Sequence, residues 1–196
     1  MKKNFDIYVT GVGGQGIGLL CEALLRAADL AGLPVKAVDT HGLAQRGGIV
    51  ISHVRIGESA HSPLIAEGKA DLVVALERTE ALRAMNVALK DGGTLVYYDT
   101  VLQPLPVRLG KAAAVTRELI TRECLRRGIS EVAAFRDDLK DSRMQNMVLL
   151  AVIARDGLIP GVNREHYQRA LDDLLEGKVL EMNLELFNSP AAEALP

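Results

Sequence analysis

The sequence predicts an α/β fold: a mostly parallel sheet with helices on both faces. Three observations carry this. Short runs rich in β-branched and aromatic residues recur along the chain, each bounded by glycine, proline or aspartate. Between them lie segments whose apolar residues recur every three or four positions. The two kinds of segment alternate through most of the 196 residues, the pattern of βα units rather than of a sandwich or a bundle.

Phe5-Asp6-Ile7-Tyr8-Val9 reads as a first buried strand, and the spacing of Ile17, Leu20, Leu24, Ala27 and Ala31 predicts the helix after it. Pro34–Asp39 and Ile49–Ile56 are strand-like, and Gly57-Glu58 marks a turn. The loop His61-Ser62-Pro63-Leu64-Ile65 leads to a strand over Ala70–Leu76. Leu82, Met85 and Leu89 mark a helix that stops at Asp91-Gly92-Gly93, and the strand Thr94–Tyr98 follows. Pro104 and Pro106 then break the chain. Val115–Arg127 is helical with a basic end before Gly128, and Val132–Phe135 is a further strand. Met147–Ala154 is apolar on all sides, and Met144–Arg155 reads as a buried helix. Asn163 caps a helix whose face is Tyr167, Leu171, Leu174 and Leu175, and Leu180, Leu184 and Phe187 mark a last one. We expect one domain over residues 1–196.

Composition narrows the function. Net charge is −2 and aromatic content 4%, with no tryptophan, so neither a basic footprint nor a stacking platform for nucleic acid is present. No apolar run reaches the roughly 20 residues of a membrane-spanning helix. The two cysteines, Cys21 and Cys124, stand alone in helical patterns, as free thiols of a cytoplasmic protein do. They fall short of the four thiolates of an iron–sulfur cluster.

The chemistry is concentrated between Thr10 and Gly48. Gly11, Gly13 and Gly16 fit G-x-G-x-x-G between a strand and a helix, and this arrangement makes the fold Rossmann-like. Glycines there turn the chain tightly and leave helix N-terminal N–H groups facing an anion. Gly14 and Gln15 complete that loop. Asp39 stands near where a dinucleotide fold places its ribose-binding carboxylate. The second loop is Thr40-His41-Gly42-Leu43-Ala44-Gln45-Arg46-Gly47-Gly48. Its Arg46 offers a planar charged fork suited to a carboxylate or phosphate, and His41 and Gln45 offer hydrogen bonds beside it. In a sheet of this kind the two loops should meet beyond the carboxyl ends of the strands. Asn146, at the front of the apolar helix, must cap it or bond a neighbouring loop or subunit. His53, His61, Glu67, Asp71 and Glu77 form no recognisable acid–base set in the sequence. The result is half of an active site.

Gly11-Val12-Gly13-Gly14-Gln15-Gly16, His41–Gly48, Ser62-Pro63-Leu64-Ile65 and Asn146-Met147 together resemble the gamma-type module of the 2-oxoacid:ferredoxin oxidoreductases. The form most similar is the beta subunit of the indolepyruvate enzymes. Relatives acting on pyruvate or 2-oxoglutarate usually carry an acidic-Met-Arg-Gly-Gly segment, where this chain has Ala44-Gln45-Arg46-Gly47-Gly48. The resemblance covers most of the chain and is weakest over Val101–Asp141.

The resemblance implies a pyruvate/ketoisovalerate oxidoreductase gamma-type catalytic domain. It would be part of a complex that oxidatively decarboxylates an aryl 2-oxoacid, joins the acyl group to coenzyme A and reduces ferredoxin. This chain would bind no cofactor alone. Thiamine diphosphate with Mg²⁺, and the iron–sulfur clusters, would belong to a large alpha subunit. His41 and Arg46 would be the catalytic residues. Gly11, Gly13, Gly14, Gln15, Gly16, Gln45, Gly47, Gly48 and Asn146 would line the cofactor side. Two other readings stay open: an NAD(P) oxidoreductase using Gly11, Gly13, Gly16 and Asp39 by itself, and a non-catalytic scaffold whose glycines only pack the fold.

Overall fold

The computed structural model describes residues 4–41, 48–102, 109 and 113–189. Among them, six strands form one sheet in the order β2-β3-β1-β4-β5-β6. In chain order the elements are β1 (Phe5–Val12), α1 (Ile17–Leu30), β2 (Val35–His41), β3 (Ile49–Ile56), β4 (Ala70–Ala75), α2 (Arg78–Val87) and β5 (Leu89–Tyr98). They continue with α3 (Arg117–Arg127), β6 (Ser130–Ala134), a 3-10 turn (Ser142–Met144), α4 (Gln145–Arg155), α5 (Arg164–Leu174) and α6 (Gly177–Asn188).

β1, β4, β5 and β6 run parallel, while β3 is antiparallel to both its neighbours β1 and β2. The sheet is therefore mostly parallel, as the alternation of segments predicts, with one reversed strand inserted. Alternate residues of each strand feed the two faces, as a two-residue period requires. Ile7, Val9, Leu72, Val74, Val96 and Tyr98 pack with α1, α4, α5 and α6. Tyr8, Val73, Ala75, Leu95 and Tyr97 pack on the other face with α2 and α3.

α4 is buried on every side because it lies against the sheet with α1 and α6 over it, so Asn146–Ala154 need no polar face. Asn163 caps α5 through a reciprocal pair with His166. Cys21 and Cys124 are buried on opposite faces, and burial pushes both thiols up to about 12. No described helix is long and apolar enough to cross a membrane.

Some expected boundaries are different: Thr40 and His41, expected in the second loop, pair with β3 and close β2, and Phe135 lies beyond the end of β6. The helix marked by Leu82 and Met85 ends at Val87, and Leu89 already belongs to β5. Gly92 and Gly93 are thus not a helix stop but lie inside the strand, where Gly92 takes φ +70° and the β4–β5 register shifts.

Candidate functional site

The crossover helix after β1 covers one face of the sheet and that after β4 covers the other. The connections therefore diverge between β1 and β4, and ligands of open α/β sheets bind in the crevice at such a point. Its walls are the glycine loop after β1 and Leu76-Glu77 after β4.

Gln15 fills this crevice. Its side chain is 2% exposed, its Oε1 accepts from the Val12 N–H at 2.7 Å, and its Nε2 donates to the Leu76 carbonyl at 2.9 Å. The same Nε2 reaches Gln145 Oε1 at 3.1 Å, tying the loop to α4. Gly11 lies directly beneath: a Cβ there would stand 2.9 Å from Gln15 Oε1 and 3.0 Å from Leu76 Cβ. The missing side chain at Gly11 leaves room for the Gln15 amide.

The helix end is covered in the same way. Gly16 precedes α1 in the left-handed conformation, φ +78°. Asn146, 3% exposed, donates from Nδ2 to the Gly16 carbonyl at 3.0 Å, and a Cβ on Gly16 would sit 2.6 Å from that nitrogen. The Gly13 N–H is spent on the Gly48 carbonyl at 2.8 Å, and the Gln15 N–H on Val12. The two loops do meet, through that Gly13–Gly48 bond. Gly14, exposed and with open space around its Cα, forms the accessible tip.

Of the residues predicted from the sequence, Gly11, Gly13, Gly14, Gln15, Gly16, Gly48 and Asn146 thus gather at the carboxyl end of β1. Gln45, Arg46 and Gly47 lie outside the described residues. His41 closes β2, paired with Val50, and its side chain also lies outside them.

The sequence reading misses an acidic pair on the other side of Leu76. Glu77 caps α2 by accepting the Glu80 N–H at 2.6 Å, and its Oε2 is buried without a partner. Glu80 accepts from Thr10 Oγ1 at 3.4 Å and pairs with Arg83 at 2.8 Å. Desolvation holds the Glu80 carboxyl above its ordinary range; Arg83 pulls it back and Glu77 pushes it further up. The available signal was the E-x-x-E spacing across a strand–helix junction, a capping pattern with an unusual first residue. Asp71 belongs elsewhere, bonded to the Asp6 N–H and to Lys90 at the opposite end of β4. His53 accepts from the Ile65 N–H and packs edge-on against Tyr8.

Two chemistries fit this chain poorly. Among the described residues no three His, Cys, Asp or Glu side chains converge as metal ligands, and the two thiols are on opposite faces, so the donors do not suit an iron–sulfur cluster. A dinucleotide is disfavoured by topology. β3 separates β2 from β1, which carries Asp39 about 4.8 Å farther from the glycine loop than a neighbouring strand would. Gln15 also occupies the crevice such a ligand needs.

A family model of pyruvate ferredoxin/flavodoxin oxidoreductase matches residues 6–192. The chain belongs to this family. The indolepyruvate oxidoreductase subunit IorB of Pyrococcus horikoshii is 32% identical over 190 residues, covering 95% of this chain and 94% of that protein. Among solved structures, the pyruvate oxidoreductase subunit PORC of Thermotoga maritima shares the fold with a TM-score of 0.63 at 21% identity, over 95% of this chain and 94% of that one. The 2-oxoglutarate:ferredoxin oxidoreductase of Magnetococcus marinus, solved with 2-oxoglutarate, coenzyme A and succinyl-CoA bound, gives a TM-score of 0.71 at 22% identity. It covers all of this chain, but this chain covers 32% of it. The fold in that protein is one part of a longer chain.

Proposed function

We propose that this chain is the small subunit of a 2-oxoacid:ferredoxin oxidoreductase of the indolepyruvate type, working in the cytoplasm with a large subunit that carries thiamine diphosphate, Mg²⁺ and iron–sulfur clusters. The observation that carries the reading is the closed crevice between β1 and β4, together with end-to-end similarity to an indolepyruvate oxidoreductase subunit. A Rossmann-like chain whose own crevice is filled by Gln15 has its polar loops available for a neighbour's site rather than for one of its own.

In this reading thiamine diphosphate supplies the decarboxylation chemistry, and coenzyme A and ferredoxin take the acyl group and the electrons. This chain contributes the walls. Arg46, which precedes Gly47 and Gly48 in the sequence, offers a bidentate positive group to a carboxylate or phosphate. His41 and Gln45 supply hydrogen bonds beside it, and Gly14 brings backbone close to the neighbour at the exposed tip. Gln15 and Asn146 act one step back, holding the glycine loop from β4 and α4.

The test is the complex assembled with Arg46→Ala and Arg46→Lys and assayed for 2-oxoacid-dependent ferredoxin reduction. Loss of a charged hydrogen bond costs about 1.5–3 kcal/mol, so kcat/KM should fall about 10- to 150-fold in the alanine variant. Lysine should restore part of it, because an ammonium keeps the charge but not the fork. Unchanged activity, or a fall matched by weaker assembly, would leave Arg46 a structural residue and favour a scaffold role.

A further inference from the structure

The first two residues of α4 hold two successive residues of the glycine loop. Gln145 accepts from Gln15 Nε2 at 3.1 Å, and Asn146 donates to the Gly16 carbonyl at 3.0 Å. Each amide spends one end inward. Asn146 is 3% exposed, and its other end, Oδ1, is buried where no ligand reaches it. Gln145 differs. It is half-buried, and its Nε2 neither bonds a described residue nor counts among the buried unpaired atoms, so it faces solvent.

The direction of this amide is dictated by its neighbours. Gln15 Oε1 accepts the Val12 N–H at 2.7 Å, so Nε2 is the end of Gln15 that donates, to the Leu76 carbonyl at 2.9 Å and to Gln145. The Gln145 atom that meets this donor must be its oxygen. Its NH₂ group is therefore turned away from Gln15, with both N–H groups unspent among the described residues.

The inner bond does not explain why residue 145 is a glutamine. Any oxygen would satisfy Gln15, and a carboxylate would do so more strongly. The first turn of a helix also favours an acid, and that of α4 holds none. Glutamate would serve the fold better on both counts. What the amide adds is an outward face that donates and carries no negative charge, which is what an anionic oxygen requires.

We propose that Gln145 is a further binding residue of the site this chain lends to its neighbour, its Nε2 donating to an anionic oxygen of a carboxylate or phosphate in the assembled enzyme; this rests on the small-subunit reading above. The start of α4 then acts with the glycine loop as one wall of that site, joined through the Gln15–Gln145 bond.

The experiment compares wild type, Gln145→Glu and Gln145→Met, each as the full chain. Melting temperature is measured for the small subunit alone. Affinity for the large subunit, kcat, and KM for the 2-oxoacid and for coenzyme A are measured in the complex. Gln145→Glu keeps an oxygen for Gln15 and reverses the outward group, so it should melt at or above the wild type and yet lose about tenfold or more in kcat/KM or in subunit affinity. Gln145→Met removes both bonds without adding charge, and should melt lower while losing less activity. A raised KM for the 2-oxoacid assigns the oxygen to the substrate carboxylate, and a raised KM for coenzyme A assigns it to a phosphate. Weaker assembly assigns it to an acidic side chain of the large subunit. Unchanged kcat/KM and affinity in Gln145→Glu overturn the proposal and leave the subunit reading intact. Melting of Gln145→Glu well below the wild type also overturns it, because the fold would then account for the amide. A wild-type mixture that never turns over overturns both readings.

Discussion

Replacing Gly16 by alanine should destabilise the chain far more than an ordinary glycine-to-alanine change. Two costs add. The residue sits at φ +78°, where an L side chain is strained by roughly 1–2 kcal/mol. The new Cβ would also stand 2.6 Å from Asn146 Nδ2 and 3.1 Å from the Arg143 carbonyl. Asn146 is buried and bonded to Gly16 itself, so it has no free direction in which to swing, and displacing it forfeits a hydrogen bond worth about 0.5–1.5 kcal/mol. The sum is about 1.5–3.5 kcal/mol, which for a chain of this size lowers Tm by roughly 3–14 °C. Gly18 is the control: it is exposed, inside α1, with nothing within 4 Å of a built Cβ, so Gly18→Ala should be neutral or stabilising by up to about 1 kcal/mol. Thermal and urea denaturation of the two variants read the contrast directly. Adding Asn146→Ala to Gly16→Ala should recover part of the loss, since the two changes share one contact. A Gly16→Ala variant within about 0.5 kcal/mol of wild type would refute the claim that α4 closes over this helix end.

Two further outcomes follow from the same site. Gln15→Leu keeps the volume but leaves the Val12 N–H and Leu76 carbonyl unpaired, and should lower stability by about 2–4 kcal/mol in urea denaturation. Glu80 has a folded-state pKa raised by desolvation, so the folded chain holds a proton that the unfolded chain has released. Stability from this group is therefore fullest below the ordinary glutamate range and declines as pH rises through the folded pKa. Glu80→Gln should accordingly raise Tm at neutral pH, with the gain shrinking toward about pH 4; a gain that grows with acidity would reverse the assignment.

How much was legible depends on whether the signal is local. The strands β1, β3 and β4, the helices α1 and α4, and the cap at Asn163 follow from period and capping chemistry, which a short window contains. The direction of β3 does not: strand period is the same parallel or antiparallel, so nothing in Ile49–Ile56 says that it reverses between β1 and β2. Leu89 misleads for a similar reason. It continues the helical spacing of Leu82 and Met85, but the β4–β5 pairing claims it for the sheet. At the site, the glycines and Asn146 were visible as residues that an apolar setting does not explain. Their partners were not, because Gln15–Leu76 and Asn146–Gly16 join positions 61 and 130 residues apart. Glu80 escaped notice because an exposed helical glutamate and a buried one look alike until the strand beside it is placed.

On the proposed reading, this chain completes a neighbour's active site and has none of its own. The direct test is ferredoxin reduction driven by an aryl 2-oxoacid with coenzyme A, measured for this chain alone, for the large subunit alone and for the two mixed. Turnover is expected in the mixture and none from either chain by itself. Turnover by this chain alone, with ferredoxin or with NAD(P), or a large subunit that works equally well without it, would rule out a small subunit that completes a neighbour's site.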